Sequence, residues 1–95
     1  VLRVDTDKLR AYATRIQNIV SRFTARAADL RYAADRERAK DEPDEELIMQ
    51  YRSMAAVFDA RISDLEKLIT YFSNVSDTFE AAEANIAARI EAFQF

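Results

Sequence analysis

Apolar residues return every three or four positions along nearly the whole chain. The first series reads Leu9, Tyr12, Ile16, Ile19, Phe23, Ala27, Leu30 and Ala34. That is the spacing of one helix face, with one extra step of four that loosens the heptad locally. The second reads Tyr51, Ala55, Phe58, Ile62, Leu65, Ile69, Phe72, Ser76, Phe79, Glu83, Ile86, Ile90 and Phe93. Only Ser76 and Glu83 interrupt its three-four alternation. Each series has a companion row: Ala13, Val20, Ala27 and Ala34 beside the first, and Leu47, Met54, Leu68, Val75 and Ala82 beside the second.

The pattern predicts two helices. Asp5 or Thr6 offers an N-cap, and Asp7 suits the positive end of the helix dipole. The first helix is expected over about residues 6–40. "DEPDEE", residues 41–46, breaks it, because Pro43 disfavours helix at Glu42 and then suits a first turn. With the turn at about 41–44, the second helix runs from about 44 to 93. The expected fold is an all-α antiparallel two-helix hairpin whose second helix is the longer. Two apolar rows on each helix exceed what one hairpin buries, so it should dimerise into a four-helix bundle. The core or dimer seam would hold Ile16, Ile19 and Phe23 opposite Phe58, Ile62, Leu65, Ile69 and Phe72.

Composition sharpens this picture. The 95 residues suit one small domain, and the chain has no glycine and a single proline, the composition of a nearly all-helical protein. Residues 1–40 hold ten Arg and Lys against five Asp and Glu, a balance of +5. Residues 41–95 hold four against twelve, a balance of −8, giving −3 for the chain. A basic helix should therefore lie along an acidic one. Lys8, Arg15 and Arg22 recur every seven residues like a phosphate-binding stripe. Flanking positions of a bundle explain them more simply, and no nucleic-acid partner is expected.

The missing residue types exclude whole classes of chemistry. Without Cys there is no disulfide, thiolate metal site or thiol nucleophile, and without His the commonest general base is gone. A bundle di-iron site needs Glu-x-x-His pairs, which the chain lacks. No catalytic residue, metal or cofactor is expected, and the protein is read as no enzyme. No apolar run approaches the ~20 residues that cross a bilayer, and "VLRVDTDKLR" has no signal-peptide core. Synthesis in the cytoplasm, without membrane insertion, is the expectation; any export would use a route without a cleaved signal.

Glu83 poses the functional question. It occupies a seam position one turn after Phe79, where an apolar side chain is due. A helix rises ~1.5 Å per residue, so the first spans about 50 Å and the second about 75 Å. Leu9 should then lie level with the upper seventies, Phe79 where the first helix runs out, and Glu83 just beyond. Two readings remain: a charge that solubilises a helix end, or part of a recognition signal on a projecting tail. Apolar residues resume after it at Ile86, Ile90, Phe93 and Phe95, which makes the tail a docking surface.

These residues carry a resemblance. "LRVDTDKLRAYATRIQNIVSRF" is similar to the opening helix of the WXG (Trp-Xaa-Gly), ESAT-like family of small type VII secretion proteins. "SDTFEAAEANIAARI" resembles that family's C-terminal Tyr-x-x-x-Asp/Glu export signal, with Phe79 in the aromatic position and Glu83 in the acidic one. The chain has no Trp and no Gly, and "AKDEPDEEL" stands where the Trp-Xaa-Gly turn would be. It is thus most like the members that lack this turn and accompany LXG-type effectors. The resemblance implies a homodimer or a heterodimer with a helical partner, such as an LXG-type effector's N-terminal region. It further implies recognition by a secretion ATPase and export to the bacterial surface or beyond. The rival expectations are a cytosolic chaperone or adaptor that is not itself exported, and a purely structural bundle subunit.

Overall fold

The computed structural model describes residues 5–93. It is an antiparallel pair of helices, α1 (Thr6–Arg38) and α2 (Glu45–Phe93), with 33 and 49 residues. The molecule is a rod of 83 × 16 × 15 Å. Asp5 caps α1 by accepting a 3.1 Å hydrogen bond from the Lys8 backbone N–H, which satisfies one of the orphan donors of the first turn.

A single carboxylate organises the turn. Glu37 accepts a 3.1 Å bond from the Asp44 backbone N–H and pairs with Lys40 at 2.7 Å. Asp44 in turn accepts from the Leu47 N–H at 3.1 Å, serving the start of α2 as Asp5 serves α1. The Glu37 side chain is buried, and the Lys40 ammonium followed by the Asp44 N–H holds its carboxyl below the ordinary glutamate range. Arg38 closes the same end with a fork onto Glu45, one arm at 2.8 Å.

The seam of α2 follows the expected row and extends one step earlier, to Ile48, which is 1% exposed. The seam of α1 differs from expectation. Leu9, Ala13, Ile16, Val20, Phe23, Ala27, Leu30, Ala34 and Glu37 are buried or half-buried in a four-three alternation with no slip. Ala13 and Val20, assigned to a companion row, occupy the seam, whereas Tyr12 and Ile19 are 46% and 38% exposed. The reason is volume. α2 presents Phe58, Ile62, Leu65, Ile69 and Phe72 in succession, and small residues at every other seam position of α1 let the helices close over them. Phe23 meets Phe58 edge-on at the middle, with ring centroids 5.2 Å apart.

The fully buried core is small. Among the described residues it consists of Val20, Ala27, Ala34, Ile48 and Ala55, with Ser76 buried at the open end. Three of its five apolar members are alanines, so the hairpin buries little hydrocarbon for its length. Many large apolar side chains stay exposed, which points to a partner.

Candidate functional site

The open end of the hairpin determines what the tail of α2 presents. Arg10 reaches across from α1 to Asp77 at 3.0 Å and to Glu80 at 2.8 and 3.3 Å. These bonds hold the Arg10 guanidinium above its ordinary pKa, Glu80 contributing most. The contact fixes the level at which α1 ends. Ser76 is the last buried seam residue of α2, and every residue from Asp77 to Glu91 is exposed.

Phe79 lies one turn past Ser76 and is 39% exposed. Glu83 follows on the same face and is exposed. Of the three acids along this stretch, Asp77 and Glu80 are engaged by Arg10, whereas Glu83 forms no ion pair among the described residues. Beyond it Ile86 and Ile90 are 57% and 55% exposed. Phe93 ends α2; its side chain lies outside the described residues, as does Phe95. Phe79 thus sits at the edge of the cover that α1 gives, and Glu83, Ile86 and Ile90 continue the hairpin seam in phase beyond it. From Phe79 to Phe93 α2 continues for 14 further residues, ~21 Å, and beyond its first turn no other described residue accompanies it.

Ile16 and Phe23 of α1, with Phe58, Ile62, Leu65, Ile69 and Phe72 of α2, are half-buried in the hairpin. Ile19 is the exception, on the flank. Its neighbours form a feature that no single apolar row of the sequence contains. Tyr12, Ile19, Met54, Val57, Leu68 and Tyr71 are all exposed, and helical spacing puts them on one long edge of the rod. The opposite edge carries the cross-helix ion pairs of Arg10, Arg31 and Arg38 with Glu80, Asp59 and Glu45. The signal for this asymmetry is present in the sequence, but only once the seam of α1 is phased on Ala13 and Val20.

Among the described residues, no group of three or more metal-ligating side chains converges, and no helix is long and apolar enough to cross a membrane. No protein-family model, curated protein or solved structure matches the chain.

Proposed function

We propose that this hairpin is a small, non-enzymatic type VII secretion protein of the WXG-like kind. It associates through its apolar surfaces with a helical partner or with itself, and it presents Phe79 and Glu83 as a C-terminal export signal. The observation that carries the reading is the unaccompanied continuation of the seam. A carboxylate on a buried seam would cost several kcal/mol if left unpaired. Among the described residues nothing covers Glu83, so it is solvated and available to a receptor. An aromatic one helical turn before it supplies apolar contact area at low entropic cost.

In this reading a membrane ATPase recognises the tail, and the N-terminal region of an LXG-type effector is the class of partner carried. The protein is made in the cytoplasm and leaves with that partner. The exposed long edge also supports a second reading, an adaptor that delivers a partner and stays behind. The two are separated by tracking both proteins in a host with and without its secretion ATPase. ATPase-dependent appearance of this chain outside the cell supports export. Retention of the chain while its partner leaves supports the adaptor. Normal behaviour of both proteins without the ATPase refutes both readings.

A further inference from the structure

We infer that the long edge built around Ile19 is a docking face for an acidic amphipathic helix of a different protein, not for a second copy of this chain. This rests on the reading that the hairpin works in association, and it specifies the chemistry of the associate.

The edge is a furrow between the two helices. Ile19, Phe23 and Phe58 form its floor and are shared by two adjoining depressions of about 350 and 410 Å³. Val57 and Leu65 extend it along α2. Apolar residues at heptad spacing on either side of a furrow are what a third helix packs into. The furrow also leads toward the exposed seam of the tail at Phe79, so one helix can follow both.

The charge on this edge selects the occupant. Lys8, Arg15, Arg22, Arg26 and Arg61 are exposed and form no ion pair among the described residues. Arg22 and Arg26 line one depression, and Arg61 lines the other beside Asp64, the one carboxylate there. A two-fold dimer through this edge sets the basic row of α1 against itself or, with its axis along the rod, against the α2 side of the furrow, where Asp64 beside Arg61 is the one carboxylate; neither arrangement neutralises the row. Pairing the basic edge of one copy with the opposite edge of another does not close on itself and leads to open chains. An anionic bilayer also suits a basic, apolar face, but it is flat, whereas Phe23 and Phe58 lie in the floor of a furrow that a helix can fill. A helix with an apolar stripe flanked by Asp or Glu meets both requirements without either conflict.

The test uses two synthetic amphipathic helices of about five heptads, with Leu along the apolar stripe and either Glu or Lys flanking it. Binding to the full chain is measured by fluorescence anisotropy at low and moderate salt. The Glu peptide should bind roughly tenfold or more tightly than the Lys peptide, and lose that advantage as salt rises. Ile19→Glu and Leu68→Glu should abolish binding, with helical content unchanged because both side chains are already exposed. Ser63→Glu, away from the furrow, should bind normally. Equal binding of both peptides, or indifference to Ile19→Glu, overturns the inference. So does a homodimer that Ile19→Glu dissociates, or Ile19-dependent binding to phosphatidylglycerol vesicles without binding of the Glu peptide. Export is a separate readout, so a failed secretion reading leaves this result standing, and the converse holds.

Discussion

Arg10 and Glu80 are joined by two hydrogen bonds, of 2.8 and 3.3 Å, across the open end of the hairpin. The pair is exposed and screened, so its value lies in register more than in stability. It ties the first turns of α1 to the turn of α2 that contains Phe79. Beyond the last turn of α1 at that tie, no other described residue accompanies the helix.

Ser76 lies immediately inside the tie. It is fully buried, and its Oγ has no hydrogen-bond partner among the described residues. Several other helical hydroxyls behave differently: Thr14, Ser21, Thr24, Thr70 and Thr78 donate to the carbonyl four residues back. An orphaned buried hydroxyl costs ~1–3 kcal/mol. Ser76→Ala should therefore stabilise the protein, by about 1 kcal/mol in urea unfolding. A loss of stability would show that the hydroxyl is satisfied.

Core substitutions should rank by burial in the free hairpin. Ile48 is almost wholly enclosed, and Ile48→Ala should cost ~2–5 kcal/mol. Leu65 is only half-buried, and Leu65→Ala should cost less, about 1–2 kcal/mol, because part of its surface already meets water. Denaturant midpoints of the two variants, compared at a common m-value, check the order. A larger loss at Leu65 would mean that a partner covers it in solution.

Much of this was legible without coordinates, for identifiable reasons. One proline in a glycine-free chain leaves a single place to turn, and the uninterrupted run from Tyr51 to Phe72 phases α2 unambiguously. α1 is different. Tyr12 and Ala13, and again Ile19 and Val20, are adjacent apolar pairs, and periodicity alone favours the larger member of each. Which of them faces inward depends on the bulk of α2 opposite, a tertiary fact. Glu37 escaped notice for the same reason, since a carboxylate on a seam is recognisable as a turn clasp only when the Asp44 N–H is seen to reach it.

The clasp has a pH signature. The Glu37 carboxyl is held below the ordinary glutamate value by Lys40 and then by the Asp44 N–H. A depressed folded-state pKa contributes stability above the unfolded value, and that contribution is lost as pH falls through the folded one. Glu37→Gln keeps an acceptor for Asp44 but removes the charge that attracts Lys40. The variant should be less stable than the parent near neutral pH and converge with it in acid, once pH has fallen through the depressed Glu37 value. A gap between parent and variant that is the same at both pH values would show that Glu37 acts through packing alone.

The central claim is that Phe79 and Glu83 serve recognition, not folding, and one comparison addresses it directly. Phe79→Ala and Glu83→Ala are expressed in a host with a type VII system and the partner protein. Secreted and cellular amounts are then measured beside helical content by circular dichroism. Glu83 is exposed and its variant should keep the parent's helical content and thermal midpoint, while Phe79→Ala should keep the helical content and lose only the modest stability of a partly covered ring. Export of this chain, or of the partner that travels with it, should collapse in each. Normal export by both folded variants would contradict the account and leave Glu83 as a charge that solubilises a helix end.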